Sequence, residues 1–207
     1  MHIPDGFLDP LVASLLYVIS LIIIYLSARK YFREEGDVYY LSVMAASIFA
    51  AQMLNWPIPG GTSAHLVGGA LAAILIGPFG GCLAMFMNLL VQCLLMGDGG
   101  ITALGANAFN MAVIDVFVGY ATYKALLRLT SNRFISSFVG GWLGIFTAAL
   151  ACGMEIGISS QFVLSLNVTV PVMAVWHGLL GLVEGAITAF VVLYLERRGW
   201  FSRGRLP

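Results

Sequence analysis

Residues 8–28 read LDPLVASLLYVISLIIIYLSA, an apolar run with no charge after Asp9, and Arg29, Lys30 and Arg33 follow it directly. Crossing a bilayer as a helix takes about 20 apolar residues, and bases gathered beyond such a run mark its cytoplasmic end. The composition extends this reading to the whole chain. Of 207 residues, 60% are hydrophobic and 10% charged, whereas a soluble domain carries about a quarter charged residues. With a mean hydropathy of +0.94, residues 1–207 read as one integral membrane domain, an all-α polytopic bundle. The formal net charge is zero and no basic stripe exists, which excludes a nucleic-acid partner.

Six further apolar runs lie at 38–54, 64–77, 81–96, 105–127, 134–158 and 171–195, for about seven transmembrane helices in all. The third and fourth fall short of a comfortable span, so they either tilt against neighbouring protein or fold as a helical hairpin. The ten bases are Arg29, Lys30, Arg33, Lys124, Arg128, Arg133, Arg197, Arg198, Arg203 and Arg205. They follow the first, fifth and seventh runs and occur nowhere else. Seven crossings place all of them on one side, which the positive-inside rule makes cytoplasmic. The N-terminus and the loops 55–63, 97–107 and 159–170 are then extracytoplasmic, and the C-terminus is cytoplasmic. The pairs Gly140/Gly144, Gly153/Gly157 and Gly181/Gly185, with the stripe Ser42, Ala46 and Ala50, allow close helix packing and secondarily the docking of a membrane partner. No transporter-type internal repeat and no GxxxxGK[ST] motif is present.

The outer N-terminal segment 1–10, MHIPDGFLDP, has acids and prolines where a signal peptide has bases, so an intact terminus is expected. Cys82, Cys93 and Cys152 form no CxxC pair and read as small hydrophobes. Met1 and His2 together offer three nitrogens: the α-amine, the His2 amide and the His2 imidazole Nδ1. Amine and amide close a five-membered chelate ring; amide and Nδ1 close a six-membered one. An amide ligand must lose its proton, and three in-plane nitrogens favour square-planar Ni(II) or Cu(II), with Co(II) more distorted. Zinc prefers a tetrahedron. Pro4 lacks an N–H, so peptide nitrogens cannot continue around the ion. His65, at the outer end of the third run, is the natural fourth nitrogen. Asn55 and Ser63 in the loop before it, Asp98 and Asn107 in the glycine-rich loop 97–107, and His177 and Glu184 in the seventh run are candidates for supporting or covering such a site.

Intramembrane ionisable groups are costly and point to function by default. Asp115, Glu155 and Glu184 read either as a proton relay or, lacking basic partners at depth, as interhelical hydrogen-bond anchors. Asp5 and Asp9 are placed to attract cations toward the terminus.

Four blocks carry a family resemblance: Met1-His2-Ile3-Pro4-Asp5-Gly6-Phe7-Leu8, the stretch from Pro59 through His65 to Gly69, the stretch from Gly97 to Asn107, and His177 through Gly185. They resemble the substrate-binding membrane subunits of nickel and cobalt energy-coupling-factor transporters, over nearly the whole chain. The resemblance implies a seven-helix bundle in the cell membrane with its extracytoplasmic N-terminus folded inward. It implies that the metal is held by the Met1 amine, the His2 amide, the His2 imidazole and His65. Pro4-Asp5 resembles the nickel branch. The implied partners are a membrane coupling subunit, cytoplasmic ATPase subunits and a small accessory membrane subunit, the ATPases supplying all hydrolysis. Two other classes stand beside this one. A membrane metallohydrolase would use His65, His177 and Glu184, although no HExxH pair exists. A proton-coupled secondary carrier would use the intramembrane acids.

Overall fold

The computed structural model describes residues 1–58 and 62–201. Ser63, in a short strand, is described in its backbone only, and residues 59–61 of the second family block lie outside the described residues. The elements in order are α1 (Pro10–Arg33), α2 (Val38–Gln52), β1 (Trp56–Ile58), β2 (Thr62–Ala64), α3 (Gly69–Val91) with a π-helical turn (Gln92–Met96), α4 (Leu104–Ala108), a second π-helical turn (Phe109–Ile114), α5 (Asp115–Thr130), α6 (Arg133–Ile158) and α7 (Leu166–Arg197). The strands pair antiparallel, Trp56 opposite Ala64, and everything else regular is helical.

By length and composition five stretches suit a membrane span: Pro10–Arg33, Gly69–Met96, Leu104–Thr130, Arg133–Ile158 and Leu166–Arg197, with α2 shorter at 15 residues. The second of these five is two pieces. Ile76 and Gly77 leave the helical conformation, Gly77 with a φ of +81° just before Pro78. A Cβ on Gly81 would stand 2.7 Å from the Ala73 backbone nitrogen, whereas those positions are about 12 Å apart in a continuous helix. The chain therefore doubles back at Gly77. Residues 78–96 are about 28 Å long at 1.5 Å per residue, and residues 69–76 form a short arm of about 12 Å.

Two sequence expectations are corrected here. The third helix does not run over 64–77; it starts at Gly69, because the backbone of residues 67 and 68 is claimed by Gln52 and Glu184 side chains and Gly68 sits at a φ of +81°. The last helix does not wait for Pro171 but starts at Leu166. Its first turns are held by α6, with Thr169 Oγ1 donating to the Gly153 carbonyl at 2.7 Å.

The glycine pairs are used inside the bundle. Gly153 packs on Val170 and Thr169, Gly181 on Trp142, Gly185 on Phe138, and Gly140 on Gly119. Ser42, Ala46 and Ala50 are exposed on α2.

The bundle has two distinct ends. At one, the N-terminal segment meets the 97–102 and 159–160 turns: Gly100 N–H donates to the Ile3 carbonyl at 2.9 Å, and Asp9 accepts from the Ser160 N–H and hydroxyl at 2.9 and 2.6 Å. At the other, Trp200 Nε1 donates to the Leu75 carbonyl at 3.0 Å, Tyr40 packs on Trp200, and Arg133 pairs with Glu196 at 2.8 Å. The described bases flank the loops of this second end.

Candidate metal centre

The first three residues are buried in the bundle, and Pro4, Asp5 and Gly6 stay exposed at its end. Met1, His2 and Ile3 are 1%, 5% and 0% exposed. Ile3 supplies the anchor: its N–H donates to Asn107 Oδ1 at 2.7 Å, and its carbonyl accepts from Asn107 Nδ2 at 3.1 Å. Asp5 accepts from the Thr102 N–H and hydroxyl at 2.6 and 2.5 Å. Asp5 and Asp9 therefore tie the terminus to the loops, and these hydrogen bonds hold both carboxyls below the usual range.

This clamp brings the terminus to His65. The Met1 amine nitrogen lies 3.2 Å from His65 Nε2, and the His2 and His65 rings sit 4.7 Å apart, centroid to centroid. His65 Nδ1 lies 2.7 Å from the Leu66 carbonyl. A carbonyl only accepts, so Nδ1 carries the proton and Nε2 presents its lone pair to the amine. His2 Nε2 lies 2.9 Å from Gln92 Oε1, and its Nδ1 lies 3.5 Å from Asp98 Oδ1. Asp98 Oδ2 accepts from Asn55 Nδ2 at 2.9 Å. Over the ring runs Gly99, where a Cβ would meet Asn107 Nδ2 at 2.9 Å and His2 Cδ2 at 3.3 Å.

Burial sets the electrostatics. Loss of hydration lowers the Met1 amine to about 6, against smaller opposing effects of Cys152, Asp98 and Glu184. It lowers His2 to about 4, assisted by the neighbouring amine, and His65 well below its ordinary value for the same reasons. All three are neutral nitrogen donors at pH 7.

Met1, His2 and His65 thus converge, with Asp98, Asn55 and Asn107 around them. Ser63 stands in β2 opposite Pro57. Glu184 reaches the site indirectly: it accepts from the Val67 and Gly68 N–H groups, just after His65. His177, on the same helix, has Nδ1 3.1 Å from the Met173 carbonyl and a buried Nε2 with no hydrogen-bond partner. Asp115 accepts from Gly69 N–H at 2.9 Å and Glu155 from Asn110 Nδ2 at 2.7 Å. Each of these three acids thus accepts a hydrogen bond from another part of the chain.

Gln92 and Gln52, polar residues inside apolar runs, received no role in the sequence analysis, yet Gln92 touches His2 and Gln52 the backbone beside His65. Cys152 was read as a small hydrophobe, and its Sγ lies 3.9 Å from the Met1 carbonyl. Among the described residues no three His, Cys, Asp or Glu side chains form a metal cluster. The nitrogen atoms that meet here are the terminal amine and the rings of His2 and His65.

The family model described as "Cobalt uptake substrate-specific transmembrane region" matches residues 2–200. A protein of Archaeoglobus fulgidus assigned as a fused nickel transport protein is 56% identical over 94% of this chain and 65% of its own length. A fused nickel transport protein of Rhodobacter capsulatus is 36% identical over 95% of this chain and 62% of that one. The chain thus spans less than two thirds of these fused relatives. A cobalt transport protein of Thermosipho melanesiensis is 31% identical over 93% of this chain and 85% of that one. A crystal structure of a truncated transition metal transporter superposes with a TM-score of 0.91 at 39% identity, over 96% of this chain and 99% of that chain.

Proposed function

The chain belongs to the cobalt uptake transmembrane family, whose members are multi-pass metal transport proteins rather than enzymes, and from that premise we propose that it is the metal-capturing subunit of an ATP-driven importer of Ni(II), with Co(II) as the alternative cargo. Energy-coupling-factor organisation is part of the proposal. A membrane coupling subunit, cytoplasmic ATPase subunits and a small accessory membrane subunit complete the machine in the inner (cell) membrane. The end carrying the N-terminus faces outward and the basic end faces the cytoplasm, in keeping with the positive-inside rule.

One observation carries the site: the Met1 amine and His65 Nε2 stand 3.2 Å apart inside a buried pocket that His2 also enters. In a planar set the amide nitrogen lies between the amine and His2 Nδ1, so His65 takes the corner opposite the amide and beside the amine. Metal–nitrogen bonds of about 2.0 Å place neighbouring corners about 2.8 Å apart, and the observed 3.2 Å is near that value. Neutral nitrogens in a dry pocket suit an ion that pulls an amide proton off, which nickel does and zinc does not. Asp98, at the partly exposed edge of the pocket, lies where an entering cation first meets the site.

The test is metal analysis of purified protein whose chain begins at Met1. The expected result is one nickel per chain with the visible absorption of a planar nickel–amide centre, lost in His2→Ala and in His65→Ala. Full nickel loading of His2→Ala would falsify the reading.

A further inference from the structure

A single hydrogen-bonded path of amide side chains runs from the His2 ring to the backbone beside His65. Gln92 Nε2 donates to Gln52 Oε1 at 2.9 Å, and Asn88 Nδ2 donates to the same oxygen at 2.7 Å. Gln52 Nε2 donates to the Val67 carbonyl at 2.6 Å. Gln52, Gln92 and Asn88 are 1%, 0% and 2% exposed, in a setting where an unmade hydrogen bond is expensive.

The path has one consistent direction. The Val67 carbonyl only accepts, so Gln52 must turn its NH2 toward it and its oxygen toward α3. That oxygen takes the NH2 groups of Asn88 and Gln92, which leaves Gln92 with Oε1 facing His2. An amide oxygen only accepts, so the His2 proton sits on Nε2 and the lone pair on Nδ1. His2 Nδ1 is buried without a hydrogen-bond partner and faces Asp98 Oδ1 at 3.5 Å.

We propose that Gln52 and Gln92 are positioning residues that lock His2 in the Nε2-protonated tautomer, so that Nδ1, the nitrogen able to close the six-membered ring with the His2 amide, is the one offered to the metal. The proposal rests on the metal-capture reading above. Nε2 of the same ring cannot close that ring, so the opposite tautomer is a poor chelator even with every ligand residue in place. Because the path ends on the Val67 carbonyl, it also ties the His2 ring to the strap that carries His65. The other histidines contrast with His2: His65 and His177 both direct Nδ1 to a backbone carbonyl, so both carry the proton there.

The direct experiment is nitrogen NMR of ring-labelled histidine in the metal-free, full-length protein near pH 7. The expected spectrum shows one histidine protonated on Nε2 and two on Nδ1, the first disappearing in His2→Ala. A His2 ring protonated on Nδ1 in the wild type overturns the proposal without any variant needing to fold. For function, Ni(II) alone is titrated into two variants. Gln92→Met, of similar volume but without the acceptor, lowers affinity by about 10–100-fold, as loss of an outer ligand partner does, and mixes the His2 tautomers. Gln92→Glu, which keeps an acceptor for Nε2–H, retains the wild-type tautomer and recovers most of the affinity. Wild-type affinity and tautomer in Gln92→Met reject the relay while leaving the capture site intact; nickel bound fully in His2→Ala rejects the capture site itself.

Discussion

Glu184 Oε1 accepts the Gly68 N–H at 2.7 Å while its other oxygen accepts that of Val67 at 2.8 Å, so one carboxylate on α7 shapes the non-helical stretch that follows His65. Replacing Glu184 with alanine strands two buried amides at about 1–3 kcal/mol each. We expect a lower melting temperature and a nickel affinity reduced by about tenfold or more, with Glu184→Gln, which keeps one accepting oxygen, between the two. Calorimetry with nickel titration checks this; unchanged values in the alanine variant contradict it.

The pH dependence follows from proton counts. Burial holds the Met1 amine at about 6 and His2 at about 4, so above pH 6 only the His2 amide gives up a proton to the metal. Affinity then falls about tenfold per unit as pH drops toward 6. Between 6 and 4 the amine must also be deprotonated, and the fall steepens to about a hundredfold per unit. Nickel titrations across pH 5–8 read the slope. A flat profile above pH 6.5 rules out an amide ligand.

Residues added before Met1 convert the amine into an amide and push bulk into a pocket where Met1 is 1% exposed. A Gly-Ser extension at the N-terminus is expected to abolish nickel loading, whereas the same extension at the C-terminus leaves it intact. Equal loading of the two proteins sinks the terminal-amine ligand.

Gly81 faces the Ala73 backbone nitrogen where α3 doubles back, and backbone does not yield as a side chain does. Gly81→Leu is expected to destabilise the fold by about 3 kcal/mol, the upper end of the usual cost of overpacking. Thermal unfolding in detergent measures it, and a wild-type melting temperature argues against the hairpin.

The broad architecture was legible because charge placement in a membrane chain is nearly binary: the bases sit beyond certain apolar runs or nowhere. Met1, His2 and His65 were legible because few residue sets offer a terminal amine, an adjacent imidazole and a distant histidine at one membrane face. What the sequence hid was set by tertiary contacts. Residues 64–68 carry the same apolar signal as the helix after them, and only the distant Gln52 and Glu184 hold them out of it. Pro171 reads as a helix boundary, yet packing of Gly153 and Gly157 against the first turns of α7 carries the helix through it. Gln52 and Gln92 look alike whether they anchor two helices or set a histidine tautomer, since that role depends on which way each amide is turned.

Because every proposed ligand is a nitrogen and one is a backbone amide, X-ray absorption spectroscopy of the nickel-loaded protein tests the site most sharply, with the metal edge and scattering shells measured on a chain that begins at Met1. The expected spectrum has a four-coordinate planar edge and a single shell of nitrogens that includes two imidazoles. A six-coordinate edge with an oxygen-dominated shell, or any sulfur at bonding distance, would contradict it.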